Sequence, residues 1–383
     1  MKVCVMTLGC KVNKYESDAL VYNLELKGYQ TTDKLEFADL YVINTCAVTK
    51  EAEKKSRQMI ARCRKFNPAA KILVCGCASQ NNAMQFRDRD VTCISGTAGK
   101  IKISKYIDKL MKNDKIFVKK PSRIQKLPLR YEDDLLAKQT RTRAYIKIQD
   151  GCNNFCSYCI IPYLRGRSRS RPIFSIINEV SSLGEQIKEI VLTGINVTDY
   201  KIDGKEGLLT LLEELDTFGK RLRLSSIEES IMSESFVQGV TKLSNFCPHF
   251  HLSLQSGCDD TLKKMNRHYT SEEFFNTVKL IRKYFPLAGI TTDVIVGFPA
   301  ESEEDFEESY EFIEKCNFSL LHVFQYSQRE GTAASKIYKD LSPSIKQNRS
   351  ERLLELSKKL HQDFIKRNKF ANVLIEEKID KYF

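Results

Sequence analysis

The stretch AYIKIQDGCNNFCSYC, from Ala144 to Cys159, joins a predicted β-strand to a loop that carries three cysteines. Cys152, Cys156 and Cys159 follow one another at spacings of four and three. Three thiolates so close together can hold three corners of a cuboidal iron–sulfur cluster and leave one iron open for another ligand. The loop follows the carboxyl end of a strand, where β/α barrels build their active sites. The alternatives are a zinc site completed by a distant cysteine or histidine, and a purely structural group of cysteines.

From Ala144 onward the chain alternates strand-like apolar runs with amphipathic helical patterns. The candidate strands are AYIKIQ, EIVLTG, RLRLSSI, HFHLSLQ, ITTDVIVGF and SLLHVFQY. The predicted helices cover Ile173 to Gln186, Leu208 to Phe218, Ser233 to Leu243, Ser271 to Tyr284, Ser302 to Lys315 and, last, Ser344 to Lys369. This rhythm predicts a partial (β/α)6 TIM barrel over residues 142–369, short of the usual eight units.

The first part of the chain shows a second strand–helix alternation. Its candidate strands are KVCVMTLG, DLYVINT, KILVCG and the weaker VTCISG, and its candidate helices cover Asn13 to Lys27, Lys50 to Arg64 and Lys100 to Lys112. The pattern predicts an α/β fold, a Rossmann-like domain with a parallel sheet, over residues 1–118. A charged segment without periodicity predicts a linker over residues 119–141.

Three further cysteines lie far apart in the first domain. Cys10, Cys46 and Cys77 each follow one of the first three predicted strands. Ligands of an open parallel sheet collect beyond the carboxyl ends of its strands, so the three loops could hold a second cluster with an open iron. The alternative is three buried cysteines without a ligand, because free cysteine is among the most buried residue types. Cys75, two residues before Cys77, is a possible competing ligand.

Composition narrows the functional class. The chain of 383 residues is 42% hydrophobic and has a formal net charge of +12, which favours a polyanionic partner such as RNA or DNA. No apolar run approaches the roughly 20 residues of a membrane span, and the N-terminus lacks the features of a signal peptide. The 13 cysteines are an odd number, which argues against a disulfide framework and for metal or thiol chemistry. We therefore expect a cytoplasmic protein.

Four arginines follow the cysteine loop in YLRGRSRSR, at every second position. On an extended segment this alternation would place their side chains on one face, where they could contact RNA phosphates. A solvated or internally paired run of charges is the alternative. The four residues are Arg165, Arg167, Arg169 and Arg171.

The two cysteine triplets, in this order, resemble the layout of the radical S-adenosylmethionine (SAM) methylthiotransferases. The blocks that carry the resemblance are TLGCKVNKYES, INTCAVT, GCASQ, IQDGCNNFCSYCIIPYLRGRSRSR, VLTGINV, SSIEES, LSLQSGCDDTLKKMNRHYT and DVIVGFPAESEEDF. TLGCKVNKYES and IQDGC…CIIPYLRG are most similar to the branch that acts on N6-threonylcarbamoyladenosine (t6A) in tRNA. The resemblance implies a transferase that inserts sulfur and a methyl group at C2 of that adenine, beside the anticodon.

The resemblance also implies cofactors and site residues. Cys152, Cys156 and Cys159 would bind a radical-generating 4Fe–4S cluster whose open iron chelates SAM, and Cys10, Cys46 and Cys77 an auxiliary 4Fe–4S cluster whose free iron holds the sulfur. The residues implied to surround SAM are Tyr158 and Gly297 near the adenine, Gly194 and Asn196 near the methionine moiety, Ser226 and Glu228 at polar groups, and Gln255 and Arg267 in the same pocket. The implied partners are the anticodon loop of tRNA and an electron donor such as flavodoxin or ferredoxin.

The sequence differs from the family pattern in two places, and three other functions are alternatives to the predicted one. Ala300 stands where the family usually has glycine, and of the family's small C-terminal β-domain, called TRAM, only the start is present, over residues 370–383. Other family branches modify isopentenyladenosine in tRNA or an aspartate of a ribosomal protein. A non-catalytic iron–sulfur protein that binds RNA is the alternative from another class.

Overall fold

The computed structural model describes residues 1–87, 89, 91–112, 117–118, 131, 136–137, 139, 141–369 and 373–376. The chain divides into two compact units. The N-terminal unit comprises Met1–Gln139, Gln149–Asn153 and Cys159–Glu179. The barrel unit comprises Thr140–Ile148, Asn154–Tyr158 and Val180–Phe383. The cysteine loop is therefore divided between them.

The secondary structure follows the predicted alternation. The strands are β1 Lys2–Thr7, β2 Gln30–Thr32, β3 Leu40–Thr45, β4 Lys71–Gly76, β5 Cys93–Ile94, β6 Phe117–Val118, β7 Arg143–Lys147, β8 Gln149–Asp150, β9 Arg169–Ser170, β10 Glu189–Thr193, β11 Lys201–Ile202, β12 Lys205–Glu206, β13 Arg221–Leu224, β14 Ser226–Ile227, β15 His249–Gln255, β16 Gly289–Val296 and β17 Leu320–Gln325. The helices are α1 Lys11–Glu25, α2 Lys50–Phe66, α3 Cys77–Asn81, α4 Met84–Arg87, α5 Ile103–Lys112, α6 Ile161–Arg165, α7 Ile173–Ser181, α8 Leu208–Asp216, α9 Glu234–Thr241, α10 Asp259–Lys264, α11 Ser271–Tyr284, α12 Glu303–Cys316, α13 Ala333–Ile337 and α14 Pro343–Arg367.

The N-terminal unit is built on a sheet of order β2-β1-β3-β4-β5-β6, in which every pairing is parallel. Successive side chains of a strand point to opposite faces, so each face has its own core. Leu20 and Ile107, from α1 and α5, pack on one face, and Ile60 of α2 packs on the other. The strand order reverses between β1 and β3, which is where open sheets of this type bind ligands. The predicted Rossmann-like fold is confirmed.

The barrel unit contains the six predicted strands in chain order. β7, β10 and β13 form one parallel sheet, and β14, β15, β16 and β17 form another. Ser225 alone separates β13 from β14, and a parallel bridge joins Leu222 to Phe246 before β15 begins. The helices α7, α8, α9, α11 and α12 connect successive strands, as a β/α alternation requires. The predicted parallel α/β architecture of this unit is confirmed.

Several helix ends differ from prediction for local reasons. The helix α7 ends at Ser181 rather than Gln186, because Ser182 and Gly184 follow, and both residue types disfavour helix. The helix α12 starts after Ser302, whose side chain accepts a hydrogen bond from the Asp305 amide in a capping box. The last helix, α14, runs over Pro343–Arg367 because Ser342 caps it and proline suits its first position.

Two predicted segments fall largely outside the described residues. Most of the predicted linker, residues 119–141, is not among them. Of the predicted TRAM start, residues 370–383, the structure describes 373–376, and no strand is assigned to those four. Within the described ranges no helix is both long and apolar enough to cross a membrane.

Candidate active site

The three cysteines of the N-terminal unit lie at the carboxyl ends of adjacent strands. Cys10 caps the start of α1 after β1, Cys46 follows β3, and Cys77 is the first residue of α3 after β4. Gly9 lets the first of these loops pass close to the second. Its φ is +98°, and a Cβ at Gly9 would lie 2.7 Å from Cys46 Cβ and 2.8 Å from Cys46 Sγ. The parallel sheet therefore brings together three loops that are distant in sequence.

The thiols of this triplet influence one another electrostatically. Burial, together with the nearby Cys77 and Cys10, raises the pKa of the Cys46 thiol to about 11. Burial also raises the pKa of Cys77, and Arg165 opposes that rise through its charge and a hydrogen bond. Thiols with raised pKa values are protonated at neutral pH, so binding iron as thiolates would release their protons.

Three cysteines are a donor set that suits an iron–sulfur cluster. In the described part of the chain, no group of three or more His, Cys, Asp or Glu side chains is arranged so that it could hold one metal ion. A cuboidal cluster takes one thiolate per iron, so its ligands do not meet around a single centre. Three cysteines from three loops fit that requirement, and their role as ligands stays a prediction.

A buried polar network, which the sequence patterns do not predict, lies in the same unit as these loops. Arg165 is fully buried and donates to Asn13 Oδ1 at 2.7 Å, to Glu16 Oε1 at 3.0 Å and to Asp150 Oδ1 at 3.0 Å. Lys100 also donates to Glu16. Two cations therefore share one buried carboxylate, a type of pairing that buried charges require.

The prediction that four arginines share an RNA-facing side is wrong for three of them. Arg165 lies at the end of α6 rather than on an extended segment, and its guanidinium is buried. Arg171 is buried as well; it pairs with Glu179 and donates to Ser175 Oγ at 3.0 Å.

The other two arginines of this run differ from each other. The Arg169 side chain is 9% exposed and forms an ion pair with Asp150 at 3.4 Å, whereas Arg167 is exposed. The internally paired alternative therefore holds for Arg165, Arg169 and Arg171.

The first residues of the cysteine loop are fixed within the N-terminal unit. The Cys152 amide donates to Gly166 O at 3.1 Å, and the Gly151 amide donates to Asp150 Oδ1 at 2.8 Å. Gly151 has φ +76°, and a Cβ there would lie 2.0 Å from Arg167 O. Only glycine meets both conditions at this position.

The middle of the loop is fixed within the barrel unit by the segment that follows α10. The Ser157 amide donates to Met265 O at 2.9 Å, and the Asn266 side chain donates to the carbonyls of Asn154 and Phe155, both at 3.2 Å. Phe155 itself has a positive φ of 49°, a conformation that costs energy outside glycine. These hydrogen bonds to the backbone of the loop hold it around the buried Cys156.

Three of the predicted SAM-binding residues meet in the barrel unit. Glu228 accepts hydrogen bonds from Asn154 at 2.6 Å and from Asn196 at 3.3 Å. Arg267 forms an ion pair with Glu228 at 3.1 Å and donates from Nη1 to Cys156 Sγ at 3.4 Å. Burial acts to lower the pKa of Arg267, but Tyr269, Tyr158 and these acidic groups raise it above its usual value. The guanidinium is therefore charged.

The other predicted residues of this group have separate environments. Tyr158 packs against an aromatic cluster that includes Phe298 and Tyr326. Gly297 has φ +70°, and a Cβ there would lie 2.4 Å from Lys346 Cγ, so packing against α14 also requires this glycine. Ser226 is exposed on β14, Gln255 ends β15 with φ +70°, and Gly194 directly follows β10. Ala300 does not have a positive φ, which removes the reason to need glycine there.

Sequence reasoning missed Asn154, Tyr269 and Glu229. Asn154 lies between Cys152 and Cys156, and this position in the cysteine loop could have indicated a role at the site. Tyr269 supports Arg267: the guanidinium carbon lies 5.0 Å from the centre of its ring. Burial, together with the adjacent Glu228 charge, raises the pKa of Glu229 to about 7, and its Oε2 has no hydrogen-bond partner among the described residues.

Comparison with known proteins decides the family. Residues 2–96 match Uncharacterized protein family UPF0004, and residues 146–313 match the Radical SAM superfamily. The chain is 40% identical to the threonylcarbamoyladenosine tRNA methylthiotransferase MtaB of Bacillus subtilis, over 98% of this chain and 84% of that protein. The chain belongs to the tRNA methylthiotransferase family. It is an enzyme, a transferase, whose cofactors are SAM and two 4Fe–4S clusters.

Other relatives and solved structures agree with this family. The Thermotoga maritima protein of the same name is 38% identical, with 95% of this chain and 84% of that protein covered. The tRNA-2-methylthio-N(6)-dimethylallyladenosine synthase of Alkaliphilus oremlandii is 35% identical, with 98% and 82% covered. In fold, the chain is similar to the radical SAM methyltransferase TsrM of Kitasatospora setae, with a TM-score of 0.65, 14% identity, and 87% and 77% of the two chains covered.

Proposed function

We propose that the enzyme adds a methylthio group at C2 of N6-threonylcarbamoyladenosine, next to the anticodon of tRNA, and so forms 2-methylthio-N6-threonylcarbamoyladenosine. The observation that carries this choice is the pattern of identity among relatives. Relatives named for threonylcarbamoyladenosine are 38–40% identical to this chain, whereas those named for dimethylallyladenosine are 34–35% identical. Methylthiolation of isopentenyladenosine is therefore the second candidate.

The cysteine loop and the barrel unit supply the residues for SAM. Cys152, Cys156 and Cys159 would hold the cluster that SAM binds, which supplies radical chemistry when present. Asn196 and Glu228 present an amide and a carboxylate suited to the polar end of SAM, and their mutual hydrogen bond at 3.3 Å orients both groups. Tyr158 extends from the same loop into an aromatic cluster that excludes water.

The N-terminal unit supplies the residues for the sulfur to be transferred. Cys10, Cys46 and Cys77 would hold the auxiliary cluster at the carboxyl edge of the sheet. Arg165 and its carboxylate partners keep the loops behind these thiols in one arrangement, since a buried ion network tolerates little displacement. The cluster needs no fourth protein ligand in this assignment, which leaves an iron for sulfur.

The remaining parts of the proposal concern partners and organisation. The surplus of positive charge suits an anticodon loop, whose unpaired bases are accessible at low cost. An electron donor such as flavodoxin or ferredoxin would reduce the barrel cluster in the cytoplasm. We assign residues 1–118 to the auxiliary-cluster domain, 119–141 to a linker, 142–369 to the radical SAM barrel and 370–383 to the start of a TRAM domain.

Nucleoside analysis of tRNA tests the substrate. The chain is expressed in a bacterial host from which the genes for both tRNA methylthiotransferases have been deleted, and digested tRNA is analysed by mass spectrometry. We expect 2-methylthio-N6-threonylcarbamoyladenosine to appear and N6-threonylcarbamoyladenosine to decrease. The Cys156→Ala and Cys77→Ala variants serve as inactive controls. Methylthiolated isopentenyladenosine alone would assign the enzyme to the second candidate.

A spectroscopic experiment separates an enzyme from a non-catalytic cluster protein. Electron paramagnetic resonance (EPR) spectra of the reduced, reconstituted protein are recorded with and without SAM. Binding of SAM to an open iron changes the spectrum of the cluster, and we expect that change here. A spectrum that stays the same with SAM would contradict the assignment of the barrel triplet.

A further inference from the structure

Arg267 is held in the barrel unit with each of its three nitrogens engaged. Nε donates to Tyr269 Oη at 3.2 Å, and Nη2 donates to Ser253 O at 3.2 Å. Nη1 contacts Glu228 Oε1 at 3.1 Å and donates to Cys156 Sγ at 3.4 Å. Since Nη1 carries two N–H groups, it can serve the carboxylate and the sulfur together.

This arrangement fixes where the guanidinium points. The Arg267 side chain is 6% exposed, and Tyr269 lies beneath its plane. Glu228 is itself fixed by Asn154 and Asn196. A planar guanidinium held at each of its three nitrogens cannot rotate away from the sulfur without breaking several of these contacts at once. The contact with Cys156 is therefore built into the fold.

We infer that Arg267 is a positioning residue that donates an N–H···S hydrogen bond to the Cys156 ligand of the barrel cluster and thereby raises the reduction potential of that cluster. Hydrogen bonds to cluster sulfurs are one of the means by which proteins set such potentials. A cationic donor stabilises the reduced cluster more than the oxidised one, because the reduced cluster carries one more negative charge. The inference rests on the proposed role of Cys156 as a cluster ligand.

Arg352 offers a matched control within the same unit. It forms a two-pronged ion pair with Glu307, at 2.6 and 2.8 Å, and its guanidinium carbon lies 4.8 Å from the centre of the Phe306 ring. Like Arg267, it therefore has a carboxylate partner and an aromatic partner of its own. Its contacts among the described residues include no cysteine.

The test measures the potential of the barrel cluster alone. The full chain carries the substitutions Cys10→Ala, Cys46→Ala and Cys77→Ala, which remove the auxiliary triplet, and is reconstituted without oxygen. Redox titrations followed by EPR then compare this parent with Arg267→Gln, Arg267→Lys and Arg352→Gln. We expect Arg267→Gln to lower the equilibrium constant for reduction about tenfold, which is ~59 mV for one electron. Arg267→Lys should lower the reduction potential by a smaller amount, and Arg352→Gln should leave the potential unchanged.

A second measurement, which does not use Arg267→Gln, accompanies the titration. The parent is grown with 15N-arginine, and pulsed EPR of the reduced cluster is searched for a 15N coupling. We expect the coupling in the parent and in Arg352→Gln, and its loss in Arg267→Lys, which retains the positive charge. This result does not depend on how well Arg267→Gln retains its cluster.

The outcomes separate the inference from the proposed function. A parent that binds SAM at its cluster, but shows equal potentials in all variants or no 15N coupling, would overturn the inference and leave the proposed function standing. A parent without any cluster would overturn the assignment of Cys152, Cys156 and Cys159 first, and the inference with it.

Discussion

The two cysteine triplets reach similar chemistry by different routes. In the N-terminal unit the cysteines come from three loops that only the folded sheet brings together. In the cysteine loop they lie within eight residues of one another. The auxiliary site therefore depends on the tertiary fold, whereas the spacing of the radical site is already set by local sequence. Damage to the sheet should affect the first site before the second.

A buried arginine accompanies each triplet, and the two arginines differ in their partners. Arg165 is surrounded by Glu16, Asp150 and Asn13, and it acts on Cys77 from within that network. Arg267 has one carboxylate partner and donates to Cys156 directly. Both arginines therefore contact a cysteine of their triplet, and they differ in how many carboxylates surround the guanidinium.

The largest effect is expected from removing one thiol of either triplet. Cys46→Ala and Cys156→Ala should each abolish the methylthiolated nucleoside and remove about four iron atoms per chain, because each substitution eliminates one cluster. Iron and sulfide analysis under anaerobic conditions measures this. Cys316→Ala, at a buried cysteine in α12, is the matched control and should retain all the iron. Full iron content in Cys46→Ala would contradict the assignment of an auxiliary cluster to the N-terminal triplet.

Replacing Arg165 should have the next largest effect, on stability. Arg165→Met removes a buried cation that Asp150 and Glu16 share, so we expect the free energy of unfolding to fall by about 3–5 kcal/mol. Thermal unfolding followed by circular dichroism measures the change. Arg167→Met, at an exposed position of the same segment, should have little effect. Equal melting temperatures of the two variants would contradict a structural role for Arg165.

The sequence predicted what depends on local pattern. The parallel strands and the spacing of Cys152, Cys156 and Cys159 could be predicted, because periodicity and loop spacing are local properties of the sequence. The ion networks were not readable, since Glu16, Lys100 and Arg165 are far apart in sequence and meet only in the folded unit. The prediction from the alternating arginines failed for the same reason. A regular spacing along the chain does not show which carboxylates each arginine will pair with in the folded protein.

Gly9 tests how closely the auxiliary loops must approach one another. Gly9→Ala places a Cβ against Cys46 and forces an alanine into φ +98°, so we expect loss of auxiliary iron while SAM still perturbs the barrel cluster. Gly28→Ala is the matched control. Its φ is +81°, but no atom of the part of the chain that the structure describes lies within 4 Å of the added Cβ, so only a backbone cost of about 1–2 kcal/mol should appear. Normal auxiliary iron in Gly9→Ala would show that these loops can separate.

The smallest effect is expected at Glu229 in the barrel unit, and it depends on pH. Burial raises the pKa of this carboxyl to about 7, above its ordinary value of 4.5. The folded protein therefore holds a proton that the unfolded chain has lost, and stability falls as pH rises from 4.5 to about 7. Glu229→Gln mimics the protonated form, so it should melt above wild type at about pH 8 and near it at about pH 4.

Melting temperatures across that range, followed by circular dichroism, measure this difference. Glu311→Gln, on the exposed side of α12, is the control and should leave the pH dependence of wild type unchanged. Parallel curves for Glu229→Gln and wild type would mean that Glu229 is ionised in the folded protein. Its charge would then add to that of the neighbouring Glu228, and Arg267 would have two carboxylates to neutralise instead of one. Arg267 would then resemble Arg165, whose guanidinium also has two carboxylate partners.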